Sequence, residues 1–174
     1  KQPCSLNRLS NLIKATGTPC SPSTVMEYVR YLQESCLLIS IDNYVSKFVE
    51  KETIKKHYFV DNGLLHLFIN NPNTSLLENL CTITLYKKYG KGLYYYNRNI
   101  EVDFYVPDEG LAVQASYQMS DEETIEREAK ALVTLHGLYP LKRAMIITYE
   151  DEGEIVREGL KIEIKPAWKW VMEG

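Results

Sequence analysis

NIEVDFYVPDEGLAVQASYQM, residues 99–119, decides how this chain is read. Two runs of alternating apolar and polar residues flank Pro-Asp-Glu-Gly, a turn sequence, and so predict neighbouring strands over 100–107 and 111–117. Alternation places Glu101 and Asp103 on one face of the first strand, with Val102 and Phe104 on the other. Gln114 and Ser116 share a face of the second strand. The turn folds the strands together, so Asp103 and Gln114 are expected to converge. An acidic position thus confronts a short polar motif, Gln-Ala-Ser, that carries no charge.

Working outward, residues 75–89 place Leu76, Leu80, Ile83 and Tyr86 at helical spacing, ended by Gly90, and 93–97 reads as a strand. Beyond the hairpin, Ser120 with Glu123 forms a capping box, opening a helix to about residue 136 with Ile125, Ala129, Leu132 and Leu135 inward. Residues 144–150, AMIITYE, form a near-continuous apolar run that predicts a strand buried on both faces. The acidic stretch 150–154 reads as a solvated loop. Residues 161–166 alternate and are expected at a sheet edge, and Trp168 and Trp170 are expected to share one face that clamps the tail. The order α-β-β-β-α-β-β predicts a mixed sheet with helices on its faces.

Upstream, 5–16 and 22–35 read as two helices joined by a tight turn, with Gly17 as a stop, Ser21 as N-cap and Pro22 at the first helical position. The second puts Val25, Tyr28, Val29 and Leu32 on one face. A short buried strand at 36–42 and strand-like runs near 47–50 and 56–60 follow. Helix, turn, helix and hairpin is the order of a winged helix. The expected architecture is therefore α+β: a winged helix over 1–62, then a mixed sheet flanked by helices over 63–174.

Composition excludes several classes. The chain has 174 residues, enough for a sizeable core, and a formal charge of −3, which argues against a strongly basic nucleic-acid clamp. Cys4, Cys20, Cys36 and Cys81 stand far apart with no metal-ligand spacing, so reduced thiols in a cytoplasmic protein are expected. No apolar run approaches membrane-spanning length, and no signal peptide opens the chain, so no membrane partner is expected. The opening KQPCSLNRL, without Met, suggests the C-terminal portion of something longer. No G-x-x-x-x-G-K-[ST] occurs, so ATP would bind only through an upstream domain.

The order Tyr58-Phe59-Val60-Asp61-Asn62-Gly63-Leu64, then Glu78-Asn79-Leu80, then Tyr94-Tyr95-Tyr96-Asn97-Arg98 leading into Glu101-Val102-Asp103-Phe104, resembles the C-terminal region of a large group of prokaryotic AAA+-type ATPases. In that group an ATPase domain precedes a winged helix and a domain of unknown function similar to PD-(D/E)XK nucleases, a restriction-endonuclease-like fold. The resemblance runs from about residue 5 to about residue 170. It implies a metal site built from Glu78, Asp103 and Gln114, with catalysis assigned to Asp103, Gln114 and Ser116. Relatives usually read Glu-Val-Lys where this chain reads Gln114-Ala115-Ser116. Magnesium wants hard anionic oxygens, and Ser116 cannot replace a cation that steadies the developing phosphorane charge. Losing such a group costs on the order of 10²–10⁴ in rate. Arg127 and Lys130, on the next helix, read as its solvated face rather than as a replacement. The site is thus expected to hold two acids, two uncharged side chains and no cation.

The expected role follows: a non-catalytic C-terminal accessory region of a AAA+-like ATPase, partnered by the upstream ATPase domain and binding DNA or a protein. Lys47, Lys51, Lys55 and Lys56, in and around the wing, are the candidate phosphate contacts. No cofactor is expected in this chain, with Mg²⁺ entering only if the nuclease-like site works. The rivals are an active metal-dependent DNA nuclease with a rearranged site, and a structural or oligomerising module of the ATPase.

Overall fold

The computed structural model describes residues 3–47, 50, 53–70, 72–119 and 121–173. The fold is mixed α+β, a large sheet with helices on both faces. Nine described strands form one sheet in the order β1-β3-β2-β4-β5-β6-β7-β9-β8. They are β1 (Cys4–Ser5), β2 (Leu38–Asn43), β3 (Ile54–Phe59), β4 (Tyr94–Asn97), β5 (Glu101–Val106), β6 (Leu111–Ala115), β7 (Arg143–Thr148), β8 (Gly153–Arg157) and β9 (Leu160–Pro166). The helices are α1 (Leu6–Ala15), α2 (Pro22–Glu34), α3 (Asn62–His66), α4 (Asn73–Tyr89), α5 (Glu122–Leu138) and α6 (Ala167–Glu173).

Local chemistry sets the first helix pair. The Ser5 and Ser21 side chains accept from the amides of Arg8 and Thr24, and Pro22 occupies the first turn of α2. Gly17, at φ +87°, takes the left-handed backbone that ends α1. Val25 faces the interior as expected, but Tyr28 and Leu32 are exposed, as are Met26, Tyr31 and Leu12. The apolar side of this pair is only partly covered.

The hairpin β2–β3, expected to be the wing, joins the main sheet. Asp42 and Asn43 pair in parallel with Tyr94 and Tyr95, so β2 lies directly against β4. The carboxamide of Asn43 extends this short ladder, donating to the Asn97 carbonyl at 2.7 Å and accepting from its amide at 3.0 Å. One core, under α4 and α6, takes Ile39, Ile41 and Tyr58 together with Leu77, Cys81, Leu85, Phe104, Val113 and Ile147. A second, under α5, takes Val102, Ala112, Ala129, Leu132, Leu135, Ile146 and Ile162. The first core therefore crosses the boundary expected at residue 62. The expected strand at 47–50 and the capping Ser120 fall partly or wholly outside the described residues; Asp121 caps α5, accepting from the Thr124 amide.

Three expectations are corrected. Residues 161–166 do not form the edge: β9 lies between β7 and β8, because 153–157 is a strand that covers it. Trp168 and Trp170 lie on a helix, α6, where a spacing of two turns residues to different sides, so Trp168 is exposed while Trp170 packs on the core. On α4 the buried stripe is Leu77, Cys81 and Leu85, with Glu78, Asn79 and Thr82 also buried. That helix buries polar as well as apolar residues, so its apolar spacing misstates its inward face.

Candidate functional site

The site forms where β5 and β6 splay apart beneath α4. Tyr94 pairs with Tyr105 and Tyr96 with Val102, so Asp103 and Phe104 stand together opposite Tyr95. This is a β-bulge, one extra residue on β5 that re-aims side chains. It corrects simple alternation: Phe104 enters the same core as α4, while Asp103 turns to the same side, toward Glu78 and Glu101.

The ladder between β5 and β6 runs only from Phe104–Val113 to Val106–Leu111. Beyond it, side chains replace backbone pairing. The Gln114 Oε1 accepts from the Asp103 amide at 2.7 Å and its Nε2 donates to the Glu101 carbonyl at 3.1 Å. Asp103 Oδ2 accepts from the Ala115 amide at 3.1 Å. Ser116 is buried and its hydroxyl donates to the Gln118 carbonyl. Asp103 and Gln114 thus converge as expected, but Gln114 acts as a latch between strands. A carboxylate at 114 could not donate to the Glu101 carbonyl. Gln114→Glu is therefore expected to lower stability by about 1–3 kcal/mol, seen as a lower urea midpoint.

The structure overturns the expectation of a site without a cation. Lys56 of β3, fully buried, places its Nζ 2.9 Å from Glu101 Oε1, 3.3 Å from Asp103 Oδ1 and 3.6 Å from Glu78 Oε1. Its ammonium also lies 5.4 Å from the centre of the Tyr95 ring. Tyr58, two residues along the same strand face, donates to Glu78 Oε1 at 2.7 Å. The signal for this was present in Lys55-Lys56-His57-Tyr58: period two assigns Lys56 to the face of the core residue Tyr58 and Lys55 to the other.

Electrostatics follow from burial and this pairing. Burial disfavours the Lys56 ammonium, but Asp103, Glu78 and Glu101 reverse that and hold its pKa above the usual value. Burial pushes Asp103 up to about 6, against the pull of Lys56 and with the help of the Glu78 charge. Burial also works against ionised Glu78, yet Lys56 and the Tyr58 hydroxyl help draw its pKa below the usual value. Tyr58 itself is pushed well up by burial and by Glu78.

The cluster opens into a cleft of about 810 Å³, lined by Glu78, Glu101, Asp103, Asp121 and Glu128 and also by Arg127 and Lys130. Arg127 is exposed and pairs with Glu128 at 2.7 Å, in keeping with a solvated face.

The expected wing contacts separate. Lys47 is exposed, Lys51 lies outside the described residues, and Lys55 is half-buried against Asp42 at 2.8 Å. Lys56 cannot meet a phosphate, because strand alternation turns it inward. Nor do the expected metal ligands fit Mg²⁺. Glu78 and Asp103 hold the Lys56 ammonium, and the Gln114 oxygen is bound to the Asp103 amide. Among the described residues, no group of three or more His, Cys, Asp or Glu is arranged to hold a metal ion.

The quoted motif Glu78-Asn79 has a structural half as well. Asn79, fully buried, accepts from the Phe59 amide at 3.0 Å and donates to the Phe59 carbonyl at 2.9 Å and to Asn62 Oδ1 at 2.8 Å. It fixes the end of β3, and with it Lys56 and Tyr58, to α4. Asp61 caps α3, and a Cβ at Gly63 would stand 2.8 Å from the capping Asp61 oxygen and push it aside.

No helix among the described residues is long and apolar enough to cross a membrane. No protein-family model matches the chain, and no solved structure matches it. The chain is similar to an uncharacterized protein of Methanocaldococcus jannaschii, 30% identical over 181 residues that take in 95% of this chain and 40% of that protein. The chain thus spans well under half the length of the curated relative it matches.

Proposed function

We propose that this chain is a non-catalytic accessory region with a degenerate nuclease-like fold, working beside an AAA+-type ATPase domain of the same polypeptide and binding a protein partner. The observation that carries this reading is the Lys56 ammonium among the three carboxylates, where a working site would hold a divalent ion. The latch role of Gln114 and the buried, bonded Ser116 hydroxyl support it, since neither is left to bind metal or move a proton. A protein is favoured over DNA because one exposed side of α2 offers Tyr28, Tyr31 and Leu32 rather than a basic stripe. The acidic cleft argues the same way. The greater length of the archaeal relative is consistent with further sequence beside such a region.

Incubating the chain with supercoiled plasmid and Mg²⁺ or Mn²⁺ tests this. We expect no nicking above that of Asp103→Asn, and no salt-dependent shift of labelled duplex DNA. Metal-dependent cleavage lost in Asp103→Asn would overturn the reading.

The rival, an active metal-dependent DNA nuclease with a rearranged site, gains one observation: Lys56 supplies the cation that Ser116 does not. In that case cleavage would appear in the same assay and vanish in both Asp103→Asn and Lys56→Met.

A further inference from the structure

A second groove, of about 480 Å³, opens between α4 and α6. Leu76, Leu77 and Leu80 of α4 give it an apolar side, and Tyr117, Tyr149 and Trp168 an aromatic one. Sequence and register account for the tyrosines. β6 and β7 run parallel with Ala115 beside Ile147, so two residues further on Tyr117 and Tyr149 fall side by side. The Tyr149 amide donates to the Tyr117 carbonyl at 3.2 Å, and the two rings stack 4.9 Å apart at 16°. Tyr149 nevertheless stays 52% exposed, and Trp168 is 62% exposed.

Charge distinguishes this groove from a bare apolar patch. Glu150 is the one charged residue among the described residues that line it. It is exposed, with no ion pair or hydrogen bond to any described residue. Its neighbours are engaged: Asp151 accepts from the Met119 amide, and Glu152 pairs with Lys169. We propose that this groove docks an arginine of a protein partner, stacked on the exposed aromatic rings and paired to Glu150, with an apolar neighbour seated on the leucines. The proposal rests on the protein-binding reading and deepens it by naming the chemistry of the bound segment. A guanidinium is planar, lies flat on aromatic rings and meets a carboxylate through two parallel hydrogen bonds. A quaternary ammonium wants rings set around it, whereas Tyr117 and Tyr149 close on each other face to face. A nucleic-acid phosphate would meet the Glu150 carboxylate, with the Lys169 ammonium already held by Glu152.

The test follows the indole N–H of Trp168 by NMR in the isotope-labelled chain, assigned with Trp168→Phe, while acetyl-Leu-Arg-Leu-amide is added. Saturable shifts are expected, with a Kd of about 1 mM or below. Citrulline in place of the arginine keeps its shape and loses its charge, and should weaken binding at least about fivefold. Glu150→Gln, a change at an exposed side chain, should weaken it at least about threefold. No saturable shift up to about 10 mM peptide overturns the proposal. Equal affinity for the arginine and citrulline peptides overturns it too, as does equal affinity in Glu150→Gln. A Trp168 response to oligothymidine as strong as that to the arginine peptide would also overturn it, by making the groove a base-stacking surface. A peptide that fails to bind leaves the Lys56 cluster untouched, so the non-catalytic reading is judged separately, by the plasmid assay.

Discussion

Lys56→Met is expected to lower the unfolding free energy by about 3–5 kcal/mol at pH 7, measured by urea denaturation. Methionine keeps most of the stem volume, so the loss reports charge rather than packing. Without the ammonium, Glu78 and Asp103 stay buried beside Glu101 with like charges, while Tyr58 still donates to Glu78 and the Ala115 amide to Asp103. The deficit should depend on pH. Lys56 lowers the pKa of both Glu78 and Asp103, so its removal raises both. An acid whose folded pKa lies above its unfolded one binds protons preferentially in the native state, and native stability then grows as pH falls. Asp103, already at about 6 in the wild type, should move higher in the variant. The difference between variant and wild type should therefore shrink as pH falls from 7 to 5. A deficit that is the same at both values would mean that shape, not charge, makes Lys56 matter.

The second large effect is expected at Asn79. Asn79→Leu fills similar space but takes from Phe59 the side-chain partners of both its amide and its carbonyl, and from Asn62 the donor to its Oδ1. A loss of about 2–4 kcal/mol is expected from these desolvated groups. Asn79→Asp keeps the acceptor for the Phe59 amide but turns a carboxylate oxygen on the Phe59 carbonyl and Asn62 Oδ1, in a fully buried place that salt does not screen. Its loss at pH 7 should therefore be at least as large as that of Asn79→Leu, and should shrink as pH falls and the carboxyl takes up a proton. An Asn79→Leu variant as stable as wild type would mean that the clamp contributes through volume alone.

The two clusters differ in how far the primary structure revealed them. The convergence of Asp103 with Gln114 is legible in the two strands and the turn between them, whereas Glu78 is marked only by the motif order that carries the resemblance. Lys56 was hidden by its neighbours: Lys55, Lys56 and His57 read as one basic run, although only alternate members of a strand share a side. The bulge at Asp103–Phe104 leaves no mark in residue types, since it arises from pairing with Tyr95, far away in the chain. Gln114 was read as a weakened ligand because its partners are backbone atoms, which a side-chain pattern does not show. The misplacement of Trp168 and Trp170 has a different origin, a period of two assumed where the chain is helical. The edge assigned to 161–166 failed because Gly153–Arg157, a charged stretch, forms the outer strand.

The unbroken sheet bears on how such a protein can be cut, fused or inherited. Severing it after residue 62 would strip β4 of the neighbour that Asp42 and Asn43 provide, and would leave Glu78 without either Lys56 or Tyr58. Each fragment would expose a raw strand border and half of a divided interior. The segment that looks like a detachable DNA-reading head is in this respect a wall of the body, and the two should be gained, lost and transplanted as one.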